Sequence, residues 1–195
     1  MTRHTGHGIL LDVEGTTSSI SFVYNVLFPF ARSNVKAFLK ENWHSQSVVA
    51  AVDQIARDDD AASLKSWHKQ SQSNHDVQHC LCDHVNQLMD QDVKTTGLKQ
   101  LQGLIWRQGF ESGQLTSHVY ADVPPALRQW HGNNLDIRIY SSGSIMAQKL
   151  FFAHTEHGDL LHLINGHFDT TIGPKKHSVS YTTISHDMNF PANQI

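Results

Sequence analysis

The chain has 195 residues, a formal net charge of -3 and 39% hydrophobic against 17% charged residues. At about 150 residues per domain this is one domain, or one domain with an inserted subdomain, and the composition is that of a folded globule and not of a disordered chain. Lys and Arg (15) fall short of Asp and Glu (18), and no basic block occurs, which speaks against nucleic acid or an anionic membrane as the main partner. No apolar run approaches the ~20 residues of a membrane span. The N-terminus lacks an apolar stretch followed by a small-residue cleavage site. Two cysteines, Cys80 and Cys82, are too close together for a disulfide framework and suit a reducing compartment, so a cytoplasmic location is expected. The 15 histidines will raise the net charge as pH falls towards ~6.

In chain order, Ile9–Val13 is a short run, apolar on both faces, and predicts a buried strand. It ends in Asp12, Glu14 and the turn residues Gly15-Thr16-Thr17. Helical spacing follows over Val23–Trp43, Ser47–Ala56, Val77–Met89 and Leu98–Phe110, with no strand signal among them. Asp58-Asp59-Asp60 and Ser71-Gln72-Ser73-Asn74 are expected as polar loops, the acidic run as a solvated one. After Gly113 the pattern changes. Pro124-Pro125 suits the entry and first turn of a helix over Ala126–His131. Leu135–Tyr140 predicts a strand ending in Ser141-Ser142-Gly143-Ser144. Ile145–His154 predicts a helix, Leu160–Phe168 a strand or hairpin, and Lys176–Asp187 a further helix. One strand, a large helical insertion and then alternating helices and strands predict an α/β fold, with a parallel sheet and helices on both faces. An insertion directly after the first strand lies on the side of the carboxyl ends of the strands, where open α/β folds bind ligands.

Three short motifs share that edge. Taken singly, each has an ordinary structural account: a polar turn at Asp12-Val13-Glu14-Gly15-Thr16, a helix N-cap in Ser141–Ser144, and a solvated lysine at Lys175 or Lys176. Their order is what carries information. Acids follow the first strand, hydroxyls follow a later strand, and a lysine comes further on. Phosphoryl transfer uses such a set. A carboxylate can attack phosphorus, a divalent cation offsets the repulsion between carboxylate and phosphate, and hydroxyls with a lysine hold the phosphate oxygens.

With those residues in view, the chain resembles the haloacid dehalogenase-type phosphatases, whose motifs are Asp-x-Asp-Gly-Thr, a Ser or Thr after a strand, and a Lys. Within them it is similar to the enolase-phosphatases of methionine salvage. The matching segments are LLDVEGTTSSISFVYNVLFPFAR, MDQDVKTTGLKQLQGLIWRQGFESGQLTSHVYADVPPAL, IRIYSSGSIMAQKLFF and INGHFDTTIGPKKHSVSY. Glu in the second acidic position is a mark of that family. The resemblance implies a Rossmann-like parallel sheet of haloacid dehalogenase type, formed by 1–17 and 114–195, with an all-helical cap over 18–113. It implies Asp12 as nucleophile and metal ligand. Glu14 would be the second metal ligand and would replace the usual general acid/base Asp. Ser141 and Ser142 would hold the phosphate, and Lys175 would be the third-motif lysine in preference to Lys176, because it stands two residues after Gly173. His177 departs from the acidic residue expected there. The implied cofactor is Mg²⁺. The implied substrate is a small phosphorylated diketone, 2,3-diketo-5-methylthiopentyl 1-phosphate, enolised and dephosphorylated by a monomer. A generic sugar-phosphate phosphatase, or a catalytically impaired phosphate-binding form, are the other readings of the same motifs.

Asp12 and Glu14 are two residues apart, so an extended chain directs both to one face. His75, His79 and Cys82 stand at i, i+4 and i+7 of a predicted helix but lack a fourth zinc ligand, so surface histidines beside a half-buried thiol are expected. Phe22, Tyr24 and Phe28 are candidates for an apolar pocket, with helix core as an equal account. Trp43, Trp67 and Trp106 are expected in the core of the helical block. The family's fourth, acidic motif has no counterpart before Ile195. The sequence therefore predicts a metal site with only Asp12 and Glu14 as protein ligands, a sheet lacking its next C-terminal strand, exposed apolar surface at that edge, and weak Mg²⁺ affinity with low activity.

Overall fold

The computed structural model describes residues 6–70, 73 and 75–195. The polar loop expected at 71–74 lies, apart from Ser73, outside them. The chain divides into two compact units, Met1–Val23 with Gly113–Ile195, and Tyr24–Ser112.

The first unit is α/β. Strands β1 (Gly8–Leu11), β2 (Asp136–Tyr140) and β3 (Gly166–Phe168) form a parallel sheet in the order β1-β2-β3 among the described residues. Leu11 pairs with Ile139, and Tyr140 with Phe168. On the central strand Ile137 and Ile139 are fully buried. Arg138 and Tyr140 alternate to the opposite face. There Arg138 bonds Asp136 (3.0 Å) and Asp187 (3.3 Å). Asp187 ends the last helix, whose Ile184 packs with Tyr140, Phe168 and Met188.

Strand β1 is shorter than the predicted Ile9–Val13. It stops at Leu11 because Asp12 Oδ1 takes the Val13 N–H (2.7 Å), a donor that a continuing ladder would need. Leu160–Phe168 also differs from the expected strand or hairpin. Asp159 Oδ1 accepts from Leu161 N (2.8 Å) and starts a 3-10 turn over Leu161–Leu163. Asn165 then replaces a ladder pair, its Oδ1 accepting from Ile137 N and its own N–H donating to Ile137 O, both 2.8 Å. Only Gly166–Phe168 remains as strand.

Several elements end at residues other than those the sequence predicts. A short helix α1 (Ile20–Phe22) runs into a π-helical turn over Val23–Leu27, immediately ahead of Pro29, which lacks the N–H a regular helix needs. The later helix α7 (Val123–Gly132) begins at the residue before the two prolines and packs against β2. Helix α8 (Ile145–Ala153) is capped by Ser144 Oγ and packs against β3. Helix α9 (Ser178–Asp187) starts two residues later than predicted. Ile195 does not enter a strand. The chain makes a 3-10 turn over Ala192–Gln194, Gln194 O accepts from His7 N (2.8 Å), and Phe190 and Ile195 pack, half-buried, on the Tyr140–Phe168 cluster.

The second unit is helical: α2 (Phe28–Asn42), α3 (Gln46–Asp58), α4 (Leu64–Gln70), α5 (Val77–Asp90) and α6 (Thr96–Glu111). Leu39, Ile55, Leu81, Leu101 and Ile105 fill its core, and Trp43, Trp67 and Trp106 pack around them. Trp106 Nε1 donates to Leu27 O (2.8 Å). Helix α4 has no long apolar period. Asp53 Oδ1 starts it by accepting from Leu64 N (3.0 Å), and only Leu64 and Trp67 pack inward. The acidic run is not simply solvated. Asp58 closes α3 and accepts from Gly97 N (2.7 Å), while Asp59 accepts from Trp67 Nε1 (2.8 Å) and lies 2.7 Å from His84 Nε2.

Gly97 stands where α6 meets α3. A Cβ there would overlap the backbone N of Ile55. Gly97→Ala must therefore push the helices apart and should lower stability by about 1–3 kcal/mol, read as a lower urea midpoint for unfolding. An unchanged midpoint would show that the α3–α6 contact relaxes freely.

Candidate active site

The site is built on the carboxyl ends of the three strands. Asp12 is the first residue beyond β1, Ser141 the first beyond β2, and Lys175 lies in the turn between β3 and α9. The Asp12 Oδ1 oxygen that accepts from Val13 N also pairs with the Lys175 ammonium, and both side chains are half-buried. Ser141 is buried, and its Oγ lies 3.1 and 3.0 Å from Oε1 and Oε2 of Glu14, to which it donates. Ser141 Oγ accepts in turn from Gly143 N (3.1 Å). Ser142 is exposed. The last serine of the run, Ser144, accepts from Ala147 N (3.3 Å) and serves as a helix cap. Lys176 is exposed, whereas Lys175 faces Asp12.

Strand pleating does not set the directions of Asp12 and Glu14, because the strand has ended before either. The turn sets them. Gly15 adopts φ +82, a left-handed conformation that favours glycine. The N–H groups of Thr16, Thr17 and Ser18 all converge on Val13 O, and Thr17 Oγ1 donates to Asp12 O (3.1 Å). A strap over Ser117–Tyr120 holds this turn from outside. Tyr120 N donates to Thr17 O (3.0 Å), and His118 Nδ1 lies 3.4 Å from Ser18 Oγ and 3.5 Å from Ser19 N. Nothing in the sequence Ser117–Tyr120 marks the strap, because its residues have no catalytic spacing.

Behind the polar residues lies a buried supporting layer. Tyr140 donates its O–H to Gly173 O (2.7 Å), and its ring lies 5.6 Å from Lys175 Nζ. Ser180 Oγ donates to Pro174 O (2.8 Å). Together these fix Gly173-Pro174-Lys175. His167 on β3 bonds Gln148 through Nδ1 (3.1 Å). Burial, with a smaller contribution from the Lys149 charge, pushes its pKa down to about 4.

The donor set at the end of β1 is two carboxylates, hard oxygen ligands. That chemistry fits a hard divalent cation that keeps several waters. Among the described residues no group of three or more His, Cys, Asp or Glu is placed to hold a metal ion. Of the other candidates, Cys82 packs in the helical core, where burial raises its thiol pKa. His79 faces Asp83 (3.5 Å) and lies tilted against the His75 ring (4.7 Å between centroids). Phe22 is buried edge-on against Phe151, and Tyr24 and Phe28 contact each other in the helical unit, so the three form no common pocket within either unit.

No family model matches the chain. A protein of Drosophila pseudoobscura pseudoobscura named Enolase-phosphatase E1 is 45% identical over 188 residues, 96% of this chain and 74% of that protein. One of the same name from Klebsiella pneumoniae subsp. pneumoniae is 42% identical over 177 residues, 91% and 72% of the two chains. The crystal structure of the Unknown transcript 4 protein of Saccharomyces cerevisiae superposes with a TM-score of 0.75 at 32% identity, covering 97% of this chain and 79% of that one.

Two predictions come from the supporting layer. Tyr140→Phe keeps the ring but orphans the Gly173 carbonyl, and should cost about 1 kcal/mol in urea unfolding; no loss would mean that water replaces the hydroxyl. His167 titrates at its ordinary 6.5 in the unfolded chain and at about 4 in the fold. Between those values the unfolded chain binds a proton that the fold rejects, so stability falls as pH drops through the window, while above it the ring is neutral in both states. Urea midpoints at about pH 7 and about pH 5 should differ less in His167→Phe than in the natural chain. An equal difference would remove His167 as a cause.

Proposed function

This chain belongs to the enolase-phosphatase family, and on that basis we propose that it converts 2,3-diketo-5-methylthiopentyl 1-phosphate, through its enol phosphate, to 1,2-dihydroxy-3-keto-5-methylthiopentene and inorganic phosphate in methionine salvage. The observation that carries the reading is the meeting of three separate sequence motifs: Asp12 with Lys175, and Glu14 with Ser141.

In the first step a proton leaves the carbon bearing the phosphate and the neighbouring carbonyl becomes an enol. Glu14 is assigned the proton transfer. Its carboxylate is oriented by the Ser141 hydroxyl in the contacts described. In the second step Asp12 attacks phosphorus and the bond from phosphorus to the enol oxygen breaks; Glu14 has already returned the carbon's proton to the carbonyl oxygen in forming the enol, so the leaving oxygen takes its proton from solvent water. Water then attacks the phosphorus of the aspartyl-phosphate and frees Asp12 and phosphate. Lys175 balances the phosphate charge, and Ser141 and Ser142 hold its oxygens. Asp12 and Glu14 would hold Mg²⁺, which supplies positive charge against the repulsion between carboxylate and phosphate. The assignment of 18–113 as a cap, a cytoplasmic location and a monomeric state belong to the same proposal. Two free thiols, Cys80 and Cys82, and the lack of any described helix long and apolar enough to cross a membrane are compatible with it.

Asp12→Asn should abolish phosphate release with the fold retained, and substantial turnover would remove Asp12 as nucleophile. Lys175→Met should raise the KM for the phosphate ester and lower kcat, whereas Lys176→Met should change neither. The reverse pattern would shift the third motif by one residue. Glu14→Asp separates the steps: phosphate release from the preformed enol phosphate should persist while enolisation, followed by enol absorbance, is lost. Equal retention of both would leave Glu14 without a role in proton transfer. Activity on the diketone phosphate over common sugar phosphates distinguishes this function from a general phosphatase.

A further inference from the structure

Gln148 is a polar side chain inside the protein, 3% exposed, on the first turns of α8. Its single amide makes three bonds. Nε2 donates to Gly143 O (2.8 Å) and to Phe168 O (2.9 Å), and Oε1 lies 3.1 Å from His167 Nδ1. Phe168 O also accepts from Ser141 N (3.3 Å). One amide thus ties the loop after β2 to the end of β3.

The chemistry of the site calls for glutamine. Two carbonyl oxygens, of Gly143 and Phe168, accept from this one side chain, and only a side-chain amide brings two N–H groups and an acceptor in one plane. A glutamate there would set acceptor against acceptor. The orientation of the amide is itself fixed, because His167 presents Nδ1–H to the oxygen end; the other ring nitrogen, Nε2, is buried without a partner. That arrangement is a neutral ring with its proton on Nδ1.

We propose that Gln148, oriented by His167, is the positioning residue of the phosphate-holding loop Ser141–Ser144. The C=O and N–H of a trans peptide point in opposite directions. Anchoring the Gly143 carbonyl inward therefore turns the Ser144 N–H outward, on the same loop whose Ser141 hydroxyl meets Glu14. The inference rests on the assignment of this loop to phosphate binding under the proposed function. Gln148 touches neither Asp12 nor Glu14 in these bonds, so its effect should fall on the anion and not on the cation.

The test uses the full chain with Mg²⁺, orthovanadate as a phosphate-shaped probe, and the variants Gln148→Met and His167→Phe. In Gln148→Met the inhibition constant for orthovanadate should rise about tenfold or more, kcat/KM should fall in proportion, and the Mg²⁺ concentration for half-maximal activity should stay where it is. His167→Phe should move the same two quantities in the same direction by less. Nitrogen NMR of the natural chain should find the His167 ring protonated on Nδ1, and Gln148→Met should lose that preference. A folded Gln148→Met that binds orthovanadate as tightly as the natural chain overturns the inference, and so does a Mg²⁺ requirement that rises as much as the orthovanadate constant. If Gln148→Met does not fold, unchanged orthovanadate inhibition in folded His167→Phe overturns it. A natural chain that neither releases phosphate nor binds orthovanadate overturns the proposed function, and this inference with it; binding by the natural chain and the variants alike overturns the inference alone.

Discussion

The parallel ladder β1-β2-β3 is the constraint on which the site depends. Parallel strands send all their carboxyl ends to one edge, and each return crossing must run through a long connection. The register then sets depth. Leu11 opposite Ile139 and Tyr140 opposite Phe168 leave Asp12 and Ser141 just past their strands. Residues 129 positions apart in the chain are delivered to the same edge by backbone hydrogen bonds that involve neither side chain.

On that edge the two carboxylates are treated differently. Asp12 faces an ammonium, a charged partner on a half-buried side chain. Glu14 faces the neutral hydroxyl of a buried serine. The ammonium and the hydroxyl each fix the position of the carboxylate they bond, one with a charge and the other without.

Rigidity comes from a buried polar layer under the site. Tyr140 and Ser180 hold the loop of Lys175, and Gln148 with His167 holds the loop of Ser141. Polar groups are costly to bury unbonded, so the bonds that this layer makes favour one loop geometry over its alternatives. The helical unit stands on its own core, with a close α3–α6 approach at Gly97. It is organised by helix packing and caps, independently of the sheet.

The α/β class and the positions of the long helices were legible in the sequence, and so were the motifs that hold two pairs in contact, Asp12 with Lys175 and Glu14 with Ser141. Apolar period, motif order and resemblance are local or linear properties, and they survive being read along the chain. Tertiary structure decided the rest, because competing hydrogen bonds can only be resolved once partners from elsewhere arrive. Asp12 turned its carboxylate on Val13 and ended β1 early, and Asn165 took a ladder position that shortened β3. Asp58 and Asp59, which read as a solvated acidic run, became acceptors for the Gly97 N–H and the Trp67 indole N–H. Among the serines of one short run, Ser141 went to Glu14 and Ser144 to α8. Gln148 carries no motif at all. Its two donors have meaning only when the carbonyls of Gly143 and Phe168, 25 residues apart, are brought to either side of one amide.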